Sequence, residues 1–261
     1  LKNGSCGAGF LLDKGVKTTI CDSDSFDFEV TSGDDTVIRA VLDILNLKET
    51  NFKVIQDIEL PIGAGFGTSA ASALSLTLAL NEFLDLNYPE ELCGQIAHMA
   101  EVNLGAGLGD VIAQTGKGLV LRTKPGAPGI GEIESYECGA YIGYKTFGSI
   151  ETSDIICDPH HKKVISEAGL KYLDLFKQEP TLDKFLEFSK KFSSETKLIC
   201  EDVQREIDYF NSIDDILGSS MAMLGNTVFA FAYNEDVFKN LNIEGLDIYE
   251  LDNIGIKYDK H

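Results

Sequence analysis

The chain has 261 residues, 44% of them hydrophobic and 25% charged, which is enough for one large or two small folded domains and excludes wholesale disorder. Its 42 acidic residues against 22 basic ones leave a net charge of −20. Such a charge repels nucleic acid backbones and anionic lipids, so we expect neither nucleic acid nor a membrane as a partner. We predict no signal peptide, and no apolar run is long enough to span a membrane.

Apolar periodicity predicts a mixed series of strands and helices. The predicted strands are 8–12, 16–21, 25–31, 51–60, 118–123, 140–147, a strand pair or interrupted run in 221–233, and 247–258. The predicted helices are 34–47, 68–86, one after Pro89, 110–114, 159–176, 181–196, 200–213 and 235–241. A hairpin-like turn at 13–15 is predicted to join the first two strands. Because strands and helices do not alternate strictly, we predict an α+β fold in two halves that meet near 140–150.

The cysteines contain no Cys-x-x-Cys pair. This spacing suits neither a zinc site nor a disulfide scaffold. We therefore interpret all six as buried thiols in a reducing cytoplasm, namely Cys6, Cys21, Cys93, Cys138, Cys157 and Cys200.

The most informative segment is a glycine-rich stretch between a predicted strand and a predicted helix, Pro61-Ile-Gly-Ala-Gly-Phe-Gly-Thr-Ser-Ala70. Its three alternate glycines allow tight turns and can bring several backbone N–H groups against an anion. The helix start at Thr68 and Ser69 adds unsatisfied donors and a partial positive charge. The pattern therefore predicts a phosphate-binding loop.

Other interpretations of this loop are weaker. A Walker A loop needs a lysine after its last glycine, and none is present. Gly65 to Ala70 fits the dinucleotide pattern GxGxxA, but Asp85, the acidic residue about 20 positions further on, does not end a predicted strand. A plain helix cap explains one glycine but not three at alternate positions.

The pattern PxxxGxGxSAA resembles the phosphate loop of the GHMP kinases. The resemblance implies that the ATP phosphates are bound by Pro61, Gly63, Ala64, Gly65, Phe66, Gly67, Thr68, Ser69 and Ala70. It also implies that Ser69 and Glu101 hold magnesium and that Asp110, after a second glycine-rich turn, is the catalytic base or orienting group. Without the resemblance, Glu101 would be read as a solvated helix-face acid and Asp110 as a helix cap. His98 lies on the same helical face as Glu101 and is interpreted as a core residue.

Along its whole length the chain resembles the archaeal pantoate kinases of coenzyme A synthesis. The segments that carry this resemblance are Gly4–Gly9, Leu60–Gly67, Ala97–Val102, Gly107–Gln114, Arg122–Gly129, Phe192–Thr196 and Ser220–Phe229. It implies a two-domain GHMP kinase fold, with a ribosomal protein S5 domain 2-like half at 1–145 and a ferredoxin-like half at 146–261. It further implies a cytoplasmic homodimer that uses ATP and magnesium to phosphorylate D-pantoate.

Two departures from the GHMP pattern stand out. The third family motif, a run of glycines, is reduced to Gly225. The first motif, a strand that contains Pro-Gly, is expected just before Leu1. Two alternatives stay open: another GHMP kinase substrate (homoserine, mevalonate or shikimate), or a GHMP-fold regulator that binds a ligand without catalysis.

An anionic substrate in so acidic a chain needs a placed cation, and arginine suits a carboxylate because its planar group donates two parallel hydrogen bonds. Of the three arginines, Arg39 lies on a predicted helix and Arg205 lies among acidic residues, so we expect both in surface pairs. Arg122 ends a strand close in sequence to Asp110, and we predict that it binds the substrate carboxylate. The alternatives are a surface role for Arg122, with the cation supplied by Lys145 or by the expected first strand.

Overall fold

The computed structural model describes residues 1–47, 51–149, 159–223 and 225–258. The strands in these residues are β1 (Gly7–Phe10), β2 (Val16–Asp22), β3 (Asp27–Val30), β4 (Phe52–Ile58), β5 (Leu119–Lys124), β6 (Glu132–Tyr136), β7 (Tyr141–Ser149), β8 (Gly218–Met221), β9 (Gly225–Ala232) and β10 (Asp247–Glu250). The helices are α1 (Thr36–Leu45), α2 (Thr68–Phe83), α3 (Glu90–Leu104), α4 (Asp110–Ala113), α5 (Pro159–Gln178), α6 (Leu182–Thr196), α7 (Glu201–Phe210) and α8 (Glu235–Lys239). No helix in the described part is long and apolar enough to cross a membrane.

The N-terminal half contains two three-stranded sheets and the first four helices. In one sheet β4 is central, antiparallel to β2 and parallel to β3. Helices α1, α2 and α3 pack together over this sheet, and α2 is buried along most of its length because its residues are small or apolar nearly all round. The other sheet has the order β1-β5-β6 and is antiparallel throughout.

The predicted hairpin between the first two strands is wrong, because β1 pairs with β5 and β2 pairs with β4. The turn residues are held by other partners. Glu59 accepts hydrogen bonds from the Lys14 ammonium at 2.7 Å and from the Gly15 amide at 3.1 Å. The turn therefore carries the chain from one sheet to the other.

The C-terminal half is ferredoxin-like, as expected. Its elements follow the order βαββαβ, with α5, α6 and α7 in the first crossover, and its antiparallel sheet has the order β10-β7-β9-β8. Phe229 and Phe231 of β9 face α6, whereas Val228 and Ala230 face α7 and α8, as the two-residue period of a strand requires. All of β7 belongs to this sheet, so strand pairing favours a boundary between the halves at 137–140 rather than at 145/146.

Two local expectations differ from the structure. Strand β6 follows a turn-rich stretch, and three of its five residues, Glu132, Glu134 and Ser135, are polar. The apolar periodicity therefore did not predict it. The cysteines are not uniformly buried: Cys93 is buried, Cys21 is exposed, and Cys6, Cys138 and Cys200 are intermediate. Cys157 and Leu224 lie outside the described residues.

Candidate active site

The glycine-rich loop connects β4 to α2. Gly63, Gly65 and Gly67 have φ angles of 72°, 89° and 63°, in the left-handed region that side-chain-bearing residues rarely occupy. Gly67 is the N-cap of α2, and it has no side chain to cap the N–H groups of the first turn. The first turn therefore offers its N–H groups to an anion, with Thr68 and Ser69 beside them.

The C-terminal half closes onto this loop through the turn between β8 and β9. A side chain at Gly65 would contact Ala222 at 3.0 Å and the Met223 carbonyl at 3.2 Å. A side chain at Gly225 would collide with the Ala64 carbonyl. The single glycine left from the third family motif is therefore required by close backbone contact with the loop.

Glu101 of α3 lies next to the loop and is buried, with 2% of its surface exposed. The Ser69 hydroxyl, on α2, donates a hydrogen bond to its carboxylate. Burial raises the pKa of Glu101, the Ser69 hydrogen bond opposes the rise and the neighbouring Asp110 adds to it, and together they bring the pKa to about 7. A positive ion at this point would favour the ionised carboxylate, so the pair is suited to a cation.

Asp110 is the first residue of α4 and lies opposite both the loop and Glu101. A side chain at Gly67 would lie 3.1 Å from its Cβ atom. A side chain at Gly107 would lie 2.9 Å from one Glu101 carboxylate oxygen and 3.3 Å from one Asp110 carboxylate oxygen. The two carboxylates therefore border the same small space.

These donors fit a hard cation such as magnesium, which prefers oxygen ligands and keeps several waters or phosphate oxygens. Among the described residues, no group of three or more His, Cys, Asp and Glu side chains is placed to hold a metal alone. Ser69 and Glu101 would thus supply only part of the ligand set, and phosphate oxygens would have to complete it.

Arg122 extends from β5 into the same region. Its side chain is 15% exposed, and its Nη1 atom lies 3.9 Å from an Asp110 carboxylate oxygen. Its Nε atom is buried and has no hydrogen-bond partner among the described residues. Burial lowers the pKa of the guanidinium, and the Asp110 carboxylate opposes this. Arg122 is therefore not a surface residue but a largely buried cation with unused hydrogen-bonding capacity.

Arg39, Arg205 and Lys145 are paired elsewhere. Arg39 forms an ion pair with Asp35 of the preceding turn, and Arg205 pairs with Asp202 at 3.1 Å, as expected for surface residues. The Lys145 ammonium lies 2.9 Å from a Glu206 carboxylate oxygen. Neither residue lines the cavity between the two halves of the molecule. Of these four cations, only Arg122 lies beside Asp110.

A cavity of about 1470 Å³ lies between the two halves of the molecule and is lined by Asp110 and Arg122, but not by Ser69 or Glu101. Its wall includes the phosphate loop, Asp110, Gln114 and Arg122 from the N-terminal half, with Thr227 and Phe229 from the C-terminal half. His98 does not line it: the ring is buried, and its Nε2–H donates to the Asn3 carbonyl over 2.8 Å. His98 is thus a buried residue with a partner, as interpreted from the sequence.

Sequence reasoning did not assign a role to several residues that shape the site. A side chain at Gly7 would come within 2.5 Å of the Arg122 guanidinium, and one at Gly109 within 2.8 Å of its Nε atom. Gln114 donates a hydrogen bond from Nε2 to the Gly67 carbonyl over 2.9 Å. These contacts join segments far apart in sequence, so no local pattern could have identified them.

Known proteins are similar to this chain in both sequence and fold. The family model "GHMP kinases N terminal domain" matches residues 35–118, which include the loop, Glu101 and Asp110. The pantoate kinase of Methanocaldococcus jannaschii is 35% identical over 246 residues, 93% of this chain and 89% of the relative. That of Thermococcus kodakarensis is 31% identical over 255 residues, 92% and 83% of the two chains.

Among solved structures, a phosphotransferase related to the coenzyme A biosynthesis pathway superposes with a TM-score of 0.83 at 27% identity, over 97% of this chain and 89% of the other. The match extends through both halves of the molecule. The chain therefore belongs to the GHMP kinases and, within them, to the pantoate kinase family.

Proposed function

We propose that the protein transfers the γ-phosphoryl group of ATP to the terminal hydroxyl of D-pantoate, giving 4-phosphopantoate for coenzyme A biosynthesis. The observation that carries the proposal is the buried Arg122 guanidinium 3.9 Å from Asp110, beside the phosphate loop. A substrate with a carboxylate at one end and a hydroxyl at the other matches this pair. The curated pantoate kinases that align with nearly the whole chain support the same substrate.

ATP phosphates would bind to the backbone donors of residues 61–70 at the start of α2. Magnesium, when bound, would neutralise phosphate charge, and Ser69 and Glu101 would supply protein oxygens for it. Because phosphoryl transfer needs little covalent chemistry from the protein, positioning and charge stabilisation would provide most of the catalysis.

Asp110 would accept the proton of the pantoate hydroxyl or orient that hydroxyl toward the γ-phosphate. Its side chain is 47% exposed on the cavity wall, so a substrate can reach it. Arg122 would hold the pantoate carboxylate through its guanidinium, whose Nε donor has no partner among the described residues. In a chain of net charge −20, this cation would provide the local attraction that admits an anionic substrate.

We also infer a cytoplasmic location, because ATP is a cytoplasmic substrate, and a homodimer, because the family resemblance implies one. Analytical ultracentrifugation at micromolar concentration would measure the mass in solution. A mass of one chain would overturn the dimer without affecting the proposed reaction.

An ADP-release assay on a substrate panel tests the proposed function. The full-length protein with ATP and magnesium is offered D-pantoate, homoserine, mevalonate and shikimate, and phosphorylated products are identified by mass spectrometry. We expect turnover with pantoate to exceed the others by at least a hundredfold. Turnover with another substrate would replace pantoate, and ATP binding without turnover of any of the four would favour a ligand-binding regulator.

A further inference from the structure

Gln114 connects the phosphate loop to the Asp110 turn. Its side-chain Nε2 donates to the Gly67 carbonyl over 2.9 Å, and its backbone N–H donates to the Asp110 carbonyl over 2.9 Å. One residue therefore holds both the loop that precedes α2 and the short helix α4 that begins at Asp110.

The Gln114 amide packs closely against both the loop and Asp110. The Gly67 carbonyl also accepts the Ala71 N–H at 3.0 Å, so two donors fix its direction. A side chain at Gly67 would lie 3.0 Å from the Gln114 amide nitrogen and 3.1 Å from the Asp110 Cβ atom. The amide, the loop and Asp110 are therefore packed against one another, and a shift of one would displace the others.

This arrangement leaves a polar atom unsatisfied. Gln114 Oε1 is buried without a hydrogen-bond partner, one of three such side-chain atoms in the described residues. The others are Arg122 Nε and Thr227 Oγ1, and all three residues line the cavity. An unpaired buried amide oxygen destabilises a fold, so a glutamine in this place calls for a compensating role. Its other half, the donor to Gly67, is the only polar contact of this amide among the described residues.

We propose that Gln114 is a positioning residue that sets the separation between the phosphate loop and Asp110. This role rests on the proposed function, because it aligns the γ-phosphate held by the loop with the hydroxyl that Asp110 orients. A misplacement of about 1 Å between such groups can lower turnover by about a hundredfold. Removal of the amide donor should therefore lower kcat while both substrates still bind.

The chain offers a matched control. Gln95 of α3 donates from Nε2 to the Pro128 carbonyl over 3.0 Å, is similarly half-buried, and does not line the cavity. Gln114→Met and Gln95→Met each keep the side-chain length and remove the donor. We expect kcat of Gln114→Met, per folded molecule by circular dichroism, to fall about 10- to 100-fold, with KM for pantoate and ATP within about threefold of the parent. Gln95→Met should keep the parent's kinetic constants.

A second variant and a substrate-free measurement complete the test. Gln114→Glu keeps the shape, but its ionised carboxylate cannot donate, so its kcat should also fall. Amide hydrogen exchange of the peptide around 67–71 should be several-fold faster in Gln114→Met than in the parent or in Gln95→Met. The positioning role would be overturned if both Gln114 variants kept kcat within threefold of the parent. It would also be overturned if KM for pantoate rose by as large a factor as kcat fell. If the parent does not phosphorylate pantoate, the proposed function fails, and unchanged exchange in Gln114→Met would separately remove the Gln114 contact.

Discussion

The polar wall of the cavity and the aromatic cluster beside it are built in opposite ways. The polar wall combines glycines of the loop, Asp110 and the three buried side-chain atoms that have no partner among the described residues, namely Gln114 Oε1, Arg122 Nε and Thr227 Oγ1. In the aromatic cluster, Phe10 of β1 packs edge to face against Phe229 and Phe231 of β9, with its ring centroid 5.0 Å from each of them. Packed aromatic side chains stabilise the folded state, whereas buried polar groups without partners destabilise it. The comparison indicates that the polar wall serves activity and the aromatic cluster serves stability.

The largest effect on the polar wall is expected at Asp110. Asp110→Ala should lower turnover by about two to four powers of ten, the usual contribution of a general acid–base group, while ATP still binds. Because Asp110 is half-exposed and 3.9 Å from its nearest cation, its loss should change thermal stability little. Steady-state kinetics and differential scanning calorimetry measure the two effects. Near-normal turnover of a folded Asp110→Ala protein would end the assignment.

The aromatic cluster should show the opposite response. Phe231 is fully buried and does not line the cavity, so Phe231→Ala should lower the free energy of unfolding by about 3–5 kcal/mol. The molecules that remain folded should keep KM and turnover close to those of the parent. Phe231→Leu, which keeps most of the volume, is the control and should lose much less. A large rise in KM for Phe231→Ala at a temperature where it is folded would contradict the division between the polar wall and the aromatic cluster.

The same contrast explains what the sequence could predict. The glycine-rich connection between β4 and α2 was predictable because its glycines, helix start and preceding strand are neighbours in sequence. Asp110 and Arg122 became candidates only through the family resemblance and through elimination of other cations. The contact of Gln114 with Gly67 spans 47 residues, and that of Gly225 with Ala64 joins the two halves. Such contacts depend on how sheets and helices pack, which local periodicity does not encode.

The pairing of β1 shows the same limit in the fold itself. A turn signal at 13–15 favours a hairpin, but each strand finds its partner far along the chain. Leu12 also bridges Leu251, and Asp13 donates its N–H to the Glu250 carbonyl. Long-range strand pairing therefore decides the topology here, and the local turn residues only permit the change of direction.

Glu101 provides a test in which activity and stability move in opposite directions. Its folded-state pKa of about 7 exceeds the ordinary 4.5, so stability is greatest when the carboxyl is protonated and falls as pH rises from about 4.5 to about 7. Without magnesium or nucleotide, the free energy of unfolding of Glu101→Gln at pH 8 should therefore be about 3 kcal/mol higher than that of the parent. The difference should vanish near pH 4. Turnover of the variant should be lost, because a neutral amide replaces the carboxylate beside Ser69.

Chemical denaturation across this pH range measures the Glu101 effect. Glu244→Gln, which removes an exposed carboxylate that does not line the cavity, is a suitable control and should leave the pH dependence of stability unchanged. A Glu101→Gln protein that is less stable than the parent at pH 8 would show that the buried carboxylate is stabilising as it stands.

The smallest expected effect separates binding from chemistry at Arg122. Lysine keeps the charge but has no planar pair of donors, so Arg122→Lys should raise KM for pantoate about 10- to 100-fold and leave KM for ATP nearly unchanged. The substitution should also remove the unpartnered Nε atom, so stability should not fall greatly. Arg205→Lys is the matched control, because Arg205 pairs with Asp202 on the surface and should be kinetically silent. An unchanged KM for pantoate in Arg122→Lys and Arg122→Ala would remove Arg122 from the substrate site. A parallel rise in KM for ATP would instead indicate that the guanidinium contacts the ATP phosphates. The polar wall would then bind one substrate rather than two.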